Sequence, residues 1–285
     1  MDHSISLGLR ARVALEKHGI RAAHSLGQNF ILDESFLSHL LDLAEVRAGE
    51  RVLEIGPGPG LMTAALADRA ARIVAVEVDE KLQPVLEAVI GARENVKLVF
   101  ADALKSNLSA LIAEYLGGAY RVIANLPYYI TADLILKLFS TRPLPENICV
   151  MVQREAAERL MSSPGDKNWC ALAATVRFYG DCRILEDVPP QRFEPAPHVD
   201  SCFIRIDVRQ NRIVLESEEE AFLKLVRCCF HMRRKTLANN LKACYAMNAE
   251  AAAAAIEAAG LKPQVRGEAL TLEEMRALCS VLRGR

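Results

Sequence analysis

A chain of 285 residues, 51% of them hydrophobic, can bury one sizeable α/β core and a smaller second one without staples. Its net charge of −1 gives no bulk attraction for a polyanion, so any nucleic-acid surface must come from local clusters of Lys and Arg. The eight cysteines all lie beyond position 148 and none forms a C-x-x-C pair. That spacing suits neither a zinc site nor a disulfide framework, and reduced thiols acting as small buried apolar groups are expected, with no metal.

Met1 to Gly19 alternates charged and apolar residues without the apolar stretch of a leader, and no uncharged run approaches a membrane span, so a cytoplasmic protein is expected. Arg10, Arg12, Lys17 and Arg21 form a first basic cluster. Asp33 through Val46 places Phe36, Leu37, Leu40, Leu41 and Ala44 on one helical face. From 51 to 152, the β-branched runs RVLEI, RIVAVEV, KLVF, RVIAN and ICVMV alternate with helical patterns, which predicts a parallel sheet with crossover helices.

Beyond it, ERLMSS-PGDKN reads as a polar turn, NWCALAATVRFYG as a helix, and RILEDV and SCFIRIDV as two further strands flanking the Pro-rich PPQRFEPAPHVDS. After about Arg212 the strand signals stop and an acidic patch opens a helical region that runs to the end. Within it, EAAAAAIEAAG is a strong helix former stopped by Gly260. The expected domains are 1–210 and 211–285. A second basic cluster, Arg227, His231, Arg233, Arg234 and Lys235, falls where one predicted helix ends and another begins. Such a run is often only a solvated helix face or helix C-terminal charge.

Strand RVLEI feeds Gly56-Pro57-Gly58-Pro59-Gly60 and then a helix. Glycines allow a sharp turn and close backbone approach to a ligand, and a helix N-terminus offers unpaired N–H groups, although a tight turn without a ligand has the same appearance. The next strand ends in Glu77, a carboxylate at a solvent-facing strand end that could accept two ribose hydroxyls from a dinucleotide or from S-adenosylmethionine. One strand later Asp102 could accept from an adenine amine or simply cap a helix.

The fourth strand runs into Asn125-Leu126-Pro127-Tyr128. The exocyclic amine of adenine is a poor nucleophile because its lone pair is delocalised into the ring. A catalyst must pull that nitrogen toward tetrahedral geometry with acceptors, and the Asn125 side-chain carbonyl and the Leu126 backbone carbonyl can serve. Tyr128 can stack on a base taken out of its helix. The sulfonium of S-adenosylmethionine is already an activated electrophile, so this chemistry needs neither metal nor covalent nucleophile. An ordinary β-turn with an Asn cap and a core Tyr is the alternative.

With these residues in place, the chain resembles the small-subunit ribosomal RNA adenine-N6 dimethyltransferases, which modify two adjacent adenosines in the hairpin near that RNA's 3′ end. The resemblance spans 24–241 through Ser25-Leu26-Gly27-Gln28-Asn29-Phe30, EIGPGPGLMT, Glu77, Asp102, NLPYYI, QREAAERL, FEPAPHVDS and FHMRRKTLANNL. It implies a Rossmann-like class I methyltransferase sheet with helices on both faces plus a small all-α C-terminal domain. It also implies cofactor contacts from Asn29, Ile31, Gly56, Glu77, Asp102 and Asn125, and catalysis by Asn125 with Leu126 and Tyr128. Phosphate contacts from Arg227, Arg233, Arg234 and Lys235, and action as a monomer on rRNA in an assembling subunit, are expected as well. Ile31 and Tyr129 stand where relatives usually carry Leu and often Asn. Phe193 could close the other face of the base pocket, or lie in the core of a rigid connection stiffened by Pro195 and Pro197. A large-subunit rRNA methyltransferase, a non-catalytic nucleic-acid-binding relative of the fold, and a small-molecule methyltransferase remain as alternatives. FHMRRKTLANNL, the intact strand-end residues and Asn-x-Pro-Tyr respectively speak against them.

Overall fold

The computed structural model describes residues 6–23, 26–209 and 211–284; Ser25 of the N-terminal motif lies outside the described residues. The seven strands read from sequence are all present: β1 (Arg51–Ile55), β2 (Arg72–Glu77), β3 (Val96–Phe100), β4 (Arg121–Asn125), β5 (Asn147–Gln153), β6 (Gly180–Val188) and β7 (Ser201–Val208). They lie in one sheet in the order β3-β2-β1-β4-β5-β7-β6. β1 to β5 are parallel, while β7 runs antiparallel to β5. In β1, β4 and β5 nearly every residue is buried, on alternate faces, so both sides of the sheet are covered, as crossover helices require. The chain order reverses between β1 and β4, and in such sheets the crevice at the carboxyl ends of those strands is where ligands bind.

Helices α1 (Leu7–Lys17), α2 (Glu34–Leu43), α3 (Leu61–Ala67), α4 (Gln83–Ile90), α5 (Leu108–Leu111), α6 (Thr131–Phe139) and α7 (Arg154–Met161) accompany these strands. Asp33 caps α2 by accepting from the Phe36 N–H at 3.1 Å, and Phe36, Leu37, Leu40 and Leu41 form its buried stripe as the spacing predicts. The helix α1 is not signalled by apolar periodicity, because the face it buries consists of Gly8, Ala11 and Ala14. The polar turn expected from Glu158 begins only after Met161: Ala157 and Leu160 are buried and continue α7.

Contacts divide the chain into two units, Met1–Ala157 with Arg183–Val208, and Glu158–Cys182 with Arg209–Arg285. The sequence boundary at 210 thus assigns Glu158–Cys182 to the first domain, whereas this segment groups with the C-terminal helices. Its helix α8 (Ala171–Tyr179) packs on α9 (Glu219–Cys229): the Phe178 and Phe222 rings are 4.9 Å apart, and the Tyr179 hydroxyl donates to Glu219 at 2.6 Å. Helices α10 (Leu237–Tyr245), α11 (Ala249–Ala258) and α12 (Leu272–Arg283) complete this unit. Among the described residues no helix is long and apolar enough to cross a membrane.

The corner between α9 and α10 carries the second basic cluster. Fully buried Asn240 donates to the Cys229 carbonyl at 3.3 Å and accepts from the Met232 N–H at 2.9 Å, tying the connecting loop to α10. Gly267 packs so closely that a Cβ there would sit 2.0 Å from the Cys229 carbonyl oxygen. With the backbone held inward, Arg227, His231, Arg233, Arg234 and Lys235 are all at the surface. Arg233 pairs with Glu268 at 3.0 Å and donates to the Lys167 carbonyl at 3.3 Å.

Candidate active site

A cleft of about 220 Å³ opens at the switch point, between the turn after β1 and the segment after β4, and a strap from Leu26 to Ile31 lines it as well. Gly56 and Gly58 have φ of 71° and 56°, a region costly for other residues, and a Cβ on Gly58 would come within 3.1 Å of the Phe30 ring. The turn can therefore pass between the sheet and the strap only as glycine. At its far end Gly60, also at positive φ, begins α3.

The sequence placed Glu77 at a solvent-facing strand end; the structure corrects this. Glu77 is 3% exposed and its carboxylate is a hub for backbone donors. Oε2 accepts from Gly58 N–H at 3.0 Å, and Oε1 accepts from Val78 and Asp79 N–H, both at 2.9 Å. Burial raises its pKa above the usual carboxylate value, and these N–H groups counter that rise in part. Glu77 thus both borders the cleft and pins the glycine turn. Asp102 also lines the cleft and caps the turn that follows β3, accepting from Leu104 N–H at 2.9 Å and pairing with Lys105 at 3.2 Å. Burial pushes its carboxyl upward, but those partners outweigh it and hold the pKa below the ordinary value, so it is anionic at neutral pH.

Asn125, at the end of β4, donates from Nδ2 to the backbone carbonyl of Asn29 at 2.8 Å. This contact orients the amide: with Nδ2 committed to the strap, Oδ1 is the atom left to accept from a ligand. Asn29, Ile31, Gly56, Leu126 and Tyr128 all line the same cleft. The strap is held from its other side as well, since Phe30 and Glu194 exchange N–H···O bonds of 3.0 and 2.8 Å and Arg12 pairs with Glu194 at 2.9 Å. Gln28, given no role from sequence, accepts from Ala23 N–H and donates to Asp79 at 3.3 Å, joining the strap to the loop after Glu77. No local pattern announces a link of this kind, which spans residues far apart in the chain.

Of the two readings open for Phe193, the core one matches its burial: it is 5% exposed, packs in one core with Val188 and Phe203, and is not among the residues lining the cleft. Among the described residues no group of three or more His, Cys, Asp or Glu is placed to hold a metal ion.

Glu54, on β1 beneath the turn, carried no expected role. It lines the cleft, is 1% exposed, and its Oε2 has no hydrogen-bond partner. Burial pushes its pKa up to about 8; the neighbouring Thr63 hydroxyl lowers it in part and the Glu77 charge adds to the rise. In the unfolded chain the same group titrates near 4.5, so between about pH 4.5 and 8 the folded state holds a proton that unfolding releases. Stability should therefore fall as pH rises through that window. The fall should total roughly 1–2 kcal/mol, less than full linkage would give, because a protein interior relaxes around a charge that forms in it. Glu54→Gln should flatten the trend in thermal melts, whereas identical pH profiles for the two proteins would assign the slope to other groups.

Comparison with known proteins agrees with this architecture. A family model described as ribosomal RNA adenine dimethylase matches residues 19–281. The ribosomal RNA small subunit methyltransferase A of Lachnoclostridium phytofermentans is 41% identical over 260 residues, 90% of each chain. Its namesake in Geobacillus thermodenitrificans is 37% identical over 99% of this chain and 98% of the relative. Among solved structures, a dimethyladenosine transferase from Plasmodium falciparum shares the fold at a TM-score of 0.72, with 23% identity over 86% of this chain and 94% of that one. The 23S rRNA methyltransferase ErmE matches at 0.65, with 25% identity over 90% of this chain and 100% of that one. A glycine turn at the switch point, an oriented Asn after β4 and a family match running nearly end to end place this chain in the ribosomal RNA adenine dimethylase family.

Proposed function

We propose that this protein transfers methyl groups from S-adenosylmethionine to the N6 amines of two adjacent adenosines in the hairpin near the 3′ end of small-subunit rRNA. It does so as a monomer, in the cytoplasm, on an assembling subunit. The observation that carries the reading is the Asn29–Asn125 contact, which leaves a fixed side-chain carbonyl to accept from an amine, next in sequence to cleft-lining Leu126. The near full-length match to relatives named for the small subunit supports the substrate.

The cleft fits the cofactor chemically: it offers a glycine turn with close backbone approach and two strand-end carboxylates, one of them anionic at neutral pH. Asn29, Ile31, Gly56, Glu77, Asp102 and Asn125 are the residues that would hold it. When bound, S-adenosylmethionine supplies an activated sulfonium methyl group. Asn125 Oδ1 and the Leu126 carbonyl draw the amine hydrogens, turning the nitrogen lone pair outward, and the Tyr128 ring supports the base. Methylation of isolated small subunits by the purified protein, with N6-dimethyladenosine located by mass analysis, tests the assignment. Unmethylated small subunits beside methylated large subunits, supplied in a parallel reaction, would overturn it.

The surface corner of the helical unit is the docking site we assign to rRNA phosphates, through Arg227, Arg233, Arg234 and Lys235. Replacing Arg233, Arg234 and Lys235 together by Ala should weaken binding to small subunits and lower the slope of log affinity against log salt by about 0.7–0.9 for each phosphate left without its cation. Arg233 must exchange Glu268 for phosphate, so it contributes least of the three. Cofactor affinity should not change, because the glycine turn and strand-end acids belong to the other unit. Parallel salt titrations at equal affinity would show that the corner is structural and move docking to the Arg10, Arg12 and Lys17 group.

A further inference from the structure

The Pro-rich run from Phe193 to Ser201 begins with a residue that the structure places in the core, yet its last residue touches a side chain that lines the cleft. Ser201 is 1% exposed, opens β7, and is paired in register with Gln153 of β5. Its hydroxyl lies 2.6 Å from the hydroxyl of Tyr128, which lines the cleft. Just before it, the Asp200 carbonyl accepts from the Arg154 N–H at 3.0 Å, so the start of the strand is also fixed. We propose that Ser201 is a positioning residue for methyl transfer, holding the Tyr128 ring in the place where the target base stacks. The proposal rests on Tyr128 being the stacking surface.

A tyrosine side chain has two torsions, and because the hydroxyl lies on the axis about which the ring turns, the bond to Ser201 constrains the first, which sets where the ring lies, and leaves the second to the packing around it. The near end is constrained by the turn Tyr128–Ile130, where the Pro127 carbonyl accepts from Ile130 N–H and from the Thr131 hydroxyl, each at 3.2 Å. Ser201 itself cannot drift, because it belongs to the sheet. The ring is therefore a plate fastened at two points, one beside Asn125 and one on β7. A tilt about the near end would displace a stacked base relative to the Asn125 acceptor, and misplacement of the reacting group by a fraction of an ångström lowers the rate without touching the chemistry. The phenol is occupied by this tether and, being largely buried, has its pKa raised above the ordinary value, so it stays protonated and structural.

The test is single-turnover methylation of small subunits at saturating cofactor for Tyr128→Phe, Ser201→Ala, the double variant and Tyr128→Ala, with cofactor affinity and thermal midpoint measured beside it. Tyr128→Phe keeps the ring and removes one oxygen, so it does not depend on Ser201→Ala folding well. Each of these two should lower the rate by about three- to tenfold, the equivalent of one hydrogen bond. The double variant should be no slower than either, since both remove the same hydrogen bond. Cofactor affinity should be unchanged, and Tyr128→Ala should be slower than all of them. Wild-type rates in Tyr128→Phe and Ser201→Ala beside an impaired Tyr128→Ala would overturn the role of Ser201 and leave the stacking surface standing, even if Ser201→Ala melts earlier. Additive losses would likewise overturn it. A wild-type rate in Tyr128→Ala would instead remove the stacking surface itself.

Discussion

Replacing Asn125 by Ala should lower the rate of methyl transfer by about 10²–10³, the range for losing one aligned group in a transition state. The variant also strips the Asn29 carbonyl of its donor. That bond is part of the strap's attachment, so cofactor affinity should weaken too, but by no more than about tenfold, the net value of one hydrogen bond. Asn125→Asp separates the two roles. It keeps an oxygen where Oδ1 stands but turns the donor that faces Asn29 into a second acceptor, setting a carboxylate against a backbone carbonyl. Its rate should fall nearly as far as that of the Ala variant, because the acceptor is present but no longer held. Single-turnover rates on small subunits with parallel calorimetry of the cofactor check both. A near-normal rate in Asn125→Ala would take Asn125 out of the reaction.

Removing the Glu77 carboxylate should reduce cofactor affinity by about 10- to 150-fold, the loss usual for charged hydrogen bonds. The same change should destabilise the fold, because Glu77→Ala leaves the N–H groups of Gly58, Val78 and Asp79 without their acceptor in a nearly buried place. Glu77→Gln is the sharper variant. Its carbonyl can keep Val78 and Asp79, while its amide would face the Gly58 N–H, donor against donor, so the damage falls on the glycine turn alone. Its melting temperature should lie above that of Glu77→Ala, yet its cofactor affinity should remain low. Unchanged affinity in Glu77→Gln would place the cofactor's hydroxyls elsewhere.

The parallel sheet was legible because buried strands need β-branched runs and crossover helices need periodic ones, and both leave marks within about ten residues of sequence. The helix α1 was not legible for the converse reason. It buries Gly8, Ala11 and Ala14, with Gly8 so close to the residue that follows the strap that a Cβ would lie 2.4 Å from the Leu32 carbonyl oxygen, while Leu9 and Val13 remain 49% and 54% exposed. Its large apolar residues are split, Leu7 and Leu15 packing on the core and Leu9 and Val13 facing away, so no single stripe marks the face that packs. Residue type and strand-end position pointed to Glu77, Asp102 and Asn125, which line one cleft, but not to what holds them. The Gly58–Glu77, Asn29–Asn125 and Tyr128–Ser201 bonds each join distant segments, and only the fold brings their atoms together. Phe193 stayed open between two readings for another reason: an aromatic beside prolines suits a pocket wall and a core equally, and only its burial by neighbours from elsewhere in the chain favours the core.

The reciprocal bond between Phe30 and Glu194 also sets a schedule for the chain as it is made. Synthesis proceeds from the N-terminus, and segments fold as they emerge. Phe30, Asn29 and all five parallel strands are out while Glu194, in a chain of 285 residues, is still to come. Until then the sheet can pair, but the strap has nothing on its outer side to close against. A ligand protects only the state that binds it. The cofactor can therefore shield the closed enzyme from heat and proteases, but it offers a nascent chain far less until Glu194 has emerged, and up to that point the chain relies on its own sheet.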